Sequence, residues 1–233
     1  MALAGTGQIG VNSRHIGIGA GQGGIKKRDL TTVSLCLLFA LSLIGAAYAG
    51  QAYGTGTPVI ELTPERLQRF TAFYRDNFFS ELGIIFANNS AAALLLIYFT
   101  PMALRLHKWL GFLRPPGCRL TRVDRFMLSG FPAFFIIKQG AVMGLSLAGF
   151  ASRIGESPAA TFFSIIFPHL SLEALAICLA GAQGLKETGQ CLAGGRASPG
   201  TGMSALLIIG LMALAALLEV ALTPRVFAFV MSN

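Results

Sequence analysis

The sequence predicts an all-α integral membrane protein: a bundle of about five transmembrane helices, with an extracytoplasmic amphipathic helix and a Pro-broken fourth span. Three observations predict it. Of 233 residues, 54% are hydrophobic and only 12% are charged, against about a quarter charged in an average soluble domain. The apolar residues gather in runs of about 20, the length a helix needs to cross a hydrocarbon core. The 18 basic residues fall unevenly among the segments between those runs, as orientation in a membrane requires. The net charge of +8 is therefore read as a topology signal, and no nucleic-acid partner is expected.

Residues 1–29 are rich in glycine and close on Lys26, Lys27 and Arg28, which reads as a flexible basic cytoplasmic tail. Its glycine clusters have no strand before them and no Gly-Lys-Ser/Thr after them, so a phosphate loop is not indicated. Residues 30–233 read as one polytopic membrane domain. The first span is 30–50. Its basic flank and Ala47-Tyr48-Ala49 also satisfy a cleavable signal peptide, although the apolar run is long for a signal core.

Thr63-Pro64-Glu65 starts a helix, with a hydroxyl cap, a first-turn proline and an acid at the positive end of the helix dipole. Over 64–80, Leu67, Phe70, Phe73, Tyr74 and Phe78 recur at helical spacing among charged residues. Such a helix lies on the membrane surface, or packs on its own loop outside it. The second span, about 86–104, opens with Asn88 and Asn89 at its lip, where amides cap a helix or bond to neighbours. A cytoplasmic basic loop follows, with Arg105, Lys108, Arg114, Arg119, Arg122 and Arg125 against the single acid Asp124.

The third span, 126–150, carries Lys138 near its middle and Gly140, Gly144 and Ala148 at four-residue intervals, a face for close helix packing. The fourth, 159–185, holds Pro168, His169 and Glu173, the proline breaking or bending the helix unless neighbours satisfy the freed backbone. The fifth, 203–223, carries Glu219 and ends before Pro224. With the N-terminus in the cytoplasm and the C-terminus outside, twelve basic residues fall inside and five outside, the bias expected of a multi-pass protein of the inner or plasma membrane.

Ionisable residues inside spans mark sites or buried pairs. His169 and Glu173 stand one turn apart on one face, and Lys138 lies at comparable depth on the next span. A buried Lys138–Glu173 pair with His169 beside it, and Glu219 near, is the expected polar cluster. It serves either as a structural knot that fixes helix register or as a proton or ion relay. The four cysteines, Cys36, Cys118, Cys178 and Cys191, make no metal spacing or disulfide framework, and neither metal nor cofactor is expected.

Four segments in order, IIFANN (84–89), IIKQGAVMG (136–144), FPHLSLEALAICLAGAQGL (167–185) and LLEVALTP (217–224), resemble the stage II sporulation protein M family over about residues 70–224. Gln139-Gly140 stands where that family commonly has Asn-Gly, and Leu170 where it has the glycine of Pro-His-Gly, as in a divergent member. The resemblance implies a non-enzymatic membrane protein that scaffolds peptidoglycan hydrolases outside the cell membrane. The alternative is a membrane subunit of a transporter, the polar cluster lining a route and the basic loop docking a cytoplasmic ATPase. The absence of internal repeats and of a paired second broken helix counts against transport. The glycine face of the third span also suits a homo-oligomer.

Overall fold

The computed structural model describes residues 21–53, 64–110, 120–154, 157–162, 167–194 and 200–232. Every regular element among them is helical: α1 (Gly21–Tyr53), α2 (Pro64–Asp76), α3 (Phe78–Leu110), α4 (Arg122–Ile154), the single turn α5 (Pro158–Thr161), α6 (Phe167–Leu192), α7 (Thr201–Ala221) and α8 (Thr223–Ser232). Among the described residues, four stretches are long and apolar enough to cross a membrane: Leu30–Ala52, Phe78–Trp109, Arg122–Ser152 and Thr201–Phe229. Of the residues named above, Thr63, Arg114, Cys118 and Arg119, with all of 1–20, lie outside the described residues.

Helix ends depart from expectation in ways that sequence chemistry explains. α1 begins at Gly21, so residues 21–29 are helical instead of belonging to a flexible tail; Lys26, Lys27 and Arg28 are good helix formers. α3 begins eight residues before the expected span, after a one-residue turn at Asn77 whose Nδ2 donates to Phe73 O at 3.0 Å. The basic loop is correspondingly short, because Arg105 and Lys108 belong to α3 and Arg122 and Arg125 to α4. α4 opens on a reciprocal cap: Asp124 N donates to Thr121 Oγ1 (3.1 Å), while Thr121 N and Oγ1 both donate to Asp124 Oδ2 (2.8 Å each). That is a capping box with Asp in place of Glu.

The glycine stripe packs as its spacing predicts. A Cβ on Gly140 would strike Ser42 Oγ and the Phe39 carbonyl, and one on Gly144 would strike the Leu43 carbonyl. Ala148 Cβ lies 2.8 Å from where a Cβ on Gly50 would stand. Both partners ascend together, so α1 and α4 run parallel. On α6, Gly184 meets the Leu96 carbonyl, and Thr188 Oγ1 bonds Thr100 Oγ1 at 2.7 Å, so α3 and α6 are also parallel. Gln183 reaches Thr201 (3.2 Å) while His169 reaches Thr223 (2.9 Å), so α6 and α7 are antiparallel.

α6 is the centre of the bundle, packed against α1, α3, α4 and α7. Its buried side chains include Ile177, Cys178 and Ala180, which join Leu35 and Phe39 of α1, Leu96 and Ile97 of α3 and Ile208 and Met212 of α7 in one core. The fourth expected span, 159–185, falls on α5 and α6, and residues 163–166 between them lie outside the described residues. α6 starts at Phe167, so Pro168 occupies the first turn, where a missing N–H costs nothing. Pro224 likewise stands in the first turn of α8.

Candidate functional site

Starting α6 at Phe167 places His169 and Glu173 in its first two turns, facing inward. There they meet Asn88 and Asn89 of α3, Gln139 and Ser146 of α4 and Glu219 of α7 around a cleft of about 470 Å³. His169, Glu173 and Asn89 are 8%, 6% and 7% exposed, and Glu219 is half-buried. The two asparagines are not at the lip of a span, as the sequence suggested. Because α3 starts early, they lie in its third and fourth turns, with Asn88 Nδ2 and Asn89 Oδ1 3.4 Å apart.

The cluster is acidic. Glu219 lies within electrostatic reach of Glu173 on one side and of Glu81, in the first turn of α3, on the other. Tyr74 of α2 closes the outer end of this line: burial first, then the charges of Glu219 and Glu81, push its phenol above the ordinary 10.0. His169 is tied differently, by the bond between its Nδ1 and Thr223 Oγ1, which fixes the start of α6 to the junction of α7 and α8.

Lys138 is not part of the cluster. Its side chain is exposed and its ammonium sits over its own helix's Phe135 ring, 5.8 Å from the centroid. The reason is helical phase: successive residues turn by about 100°, and it is the next residue, Gln139, that lines the cleft. The expected Lys138–Glu173 pair is therefore replaced by two carboxylates among amides, a donor set of oxygen atoms suited to a positive group.

A second buried polar cluster lies at the other end of α6 and escaped the sequence reading. Gln183 Nε2 donates to Glu187 Oε1 (3.0 Å), and the Thr201 hydroxyl donates to the same oxygen. Glu187 is 0% exposed, and Gln183 Oε1 is buried with no hydrogen-bond partner. The Gln183–Glu187 spacing of four was a readable signal, but it follows an apolar run and Lys186 invited assignment to a loop. Among the described residues no group of three or more His, Cys, Asp or Glu side chains is placed to hold a metal ion. Cys36, Cys178 and Cys191 are free thiols.

No protein-family model, curated protein or solved structure matches the chain.

Proposed function

We propose that this chain is a non-enzymatic multi-pass membrane protein that crosses the bilayer five times and binds a positively charged group in its acidic cleft, as the membrane subunit of a transporter or permease complex. Glu173 and Glu219 carry this reading: two carboxylates at the head of the bundle, with no ion pair between them and any basic group among the described residues. A lone buried carboxylate is costly, and two adjacent ones costlier, until a proton or cation joins them. The neighbouring amides Asn88, Asn89 and Gln139 supply carbonyl oxygens around the same space.

The four apolar helices plus α6 make five crossings in this reading. At 26 residues and about 1.5 Å each, α6 is about 39 Å long, more than a hydrocarbon core of about 30 Å. Its buried polar side chains, His169, Glu173, Gln183, Glu187 and Thr188, face the other helices, so its composition need not be lipid-like. The alternation of parallel and antiparallel neighbours supports the same count. With the N-terminus in the cytoplasm, the cleft opens outward, and Glu81 lies within electrostatic reach of its Glu219.

The purified chain should be stabilised against heat by a small cation. Sodium, potassium and guanidinium are the probes, with N-methylglucamine as the ionic-strength control. At a hundred times the dissociation constant the gain is about 2.7 kcal/mol. Glu173→Gln and Glu219→Gln should each weaken the response about tenfold or more, while Lys138→Gln leaves it unchanged. Equal responses in all four proteins would refute the assignment.

A scaffold for extracytoplasmic peptidoglycan hydrolases is the second reading. It is favoured by α2, which packs on α8 beyond the bundle and exposes Phe73. Co-purification of cell-wall hydrolases in mild detergent supports it, and a co-purifying ATPase supports the transporter.

A further inference from the structure

α2 lies against the junction of α7 and α8, and the seam between them holds a separate cleft of about 480 Å³. Its polar lining is Gln68, Thr71, Tyr74, Arg75 and Arg225; its floor is apolar and includes Val220 and Pro224. Both arginines are exposed. Arg75 donates through Nε to Asp76 Oδ1 at 3.1 Å, a bond that leaves its two terminal amino groups for another acceptor. The Tyr74 phenol, held above its usual 10.0 by burial and by Glu219 and Glu81, remains a donor through the physiological range.

The level of this cleft follows from helix geometry. α7, from Thr201 to Ala221, is 21 residues long, about 32 Å against a hydrocarbon thickness of about 30 Å, and Arg225 follows it in the first turn of α8. If Thr201 marks one edge of the core, Arg225 stands among the headgroups of the other leaflet. There a planar guanidinium fork meets phosphate oxygens two at a time, and an apolar floor below it suits the glycerol and first methylenes of a lipid.

We propose that the α2–α8 cleft binds the phosphate headgroup of a membrane lipid, with Arg75 and Arg225 as its two forks. The site does not depend on the cation reading of the neighbouring acidic cleft. Glu81 and Glu219 do not line this cleft, and the two guanidinium groups that do make phosphate the group it recognises.

Native mass spectrometry of the full chain, delipidated in detergent and titrated with phosphatidylglycerol or inorganic phosphate, tests this. One phosphatidylglycerol should bind saturably. Arg75→Gln and Arg225→Gln should each weaken it about tenfold, and Lys108→Gln, at the far end of α3, should not. Far-UV circular dichroism checks that each variant is folded. Adducts that never saturate, or that persist unchanged in the double variant, would mean annular lipid and overturn the site. Saturable binding of inorganic phosphate with no preference for the lipid would overturn the lipid assignment.

Discussion

Replacing Gly144 with alanine should destabilise the bundle, although alanine is the better helix former. The added Cβ would strike the Leu43 carbonyl and lie 3.0 Å from both Ala46 Cβ and Ala47 N of α1. Backbone cannot rotate away as a side chain can, so α1 and α4 must separate along their whole glycine seam. Overpacking of this kind costs about 1–3 kcal/mol, offset by about 1 kcal/mol of helix propensity. The net expectation is a loss of about 1–2 kcal/mol, since a contact with backbone lies at the upper end of that range. Gly149→Ala is the matched control: nothing lies within 4 Å of its added Cβ, so the propensity gain of up to about 1 kcal/mol should appear unopposed. Reversible unfolding of the purified chain by added SDS in mixed micelles reads both. Gly144→Ala at or above wild-type stability, or the two variants changing in the same direction, would refute the seam.

Other outcomes follow from single contacts. Thr223→Ala removes the partner of His169 and should cost about 1–3 kcal/mol if it leaves the ring nitrogen unsatisfied, with Thr223→Ser restoring most of it. A double-mutant cycle on Thr100→Val and Thr188→Val should give a coupling of about 0.6 kcal/mol, the usual value between membrane helices; zero coupling would contradict their 2.7 Å bond. The Tyr74 phenolate should appear by ultraviolet absorbance only above the ordinary 10.0, and Glu81→Gln should lower it only in part, since burial is the larger cause. Because the folded phenol holds its proton longer than the unfolded one, this residue's contribution to stability is intact below pH 10.0 and is lost as pH rises through the folded value. Tyr74→Phe should remove that alkaline loss.

The parts of the fold that were legible in the sequence are those fixed by local composition. Gly140, Gly144 and Ala148 announced a close helix contact because only small side chains let backbones meet, and α1 is the helix they meet. The five apolar runs likewise fall on α1, α3, α4, α6 and α7, four of which are long and apolar enough to cross a membrane among the described residues, with ends displaced because a helix continues past the hydrocarbon wherever no breaker stops it. A proline in an apolar run looks the same whether it interrupts a helix or starts one, and Pro168 stands in the first turn of α6. Which case holds depends on residues before Phe167, and it decides whether His169 and Glu173 lie mid-helix or at its start. The Lys138 error was one of phase: a position 100° off the cleft-facing line is indistinguishable by depth from one on it. Gln183, Glu187 and Thr201 were missed because a buried polar cluster at the end of a span has the composition of a loop. Their partners are 14 to 18 residues away across a helix reversal, a relation no local pattern displays.

The central claim is that the acidic cleft faces outward and holds a cation, and labelling at Ser146 tests both halves at once. Ser146 lines the cleft on α4, and Ser146→Cys in a chain whose four native cysteines are replaced by serine offers one thiol. In intact cells a membrane-impermeant maleimide should label it from outside, and the cation identified by thermal stabilisation should slow that labelling in proportion to occupancy. Glu173→Gln should abolish the protection without changing the labelling rate itself. Labelling only from the cytoplasmic side, or labelling that no cation slows, would contradict the account.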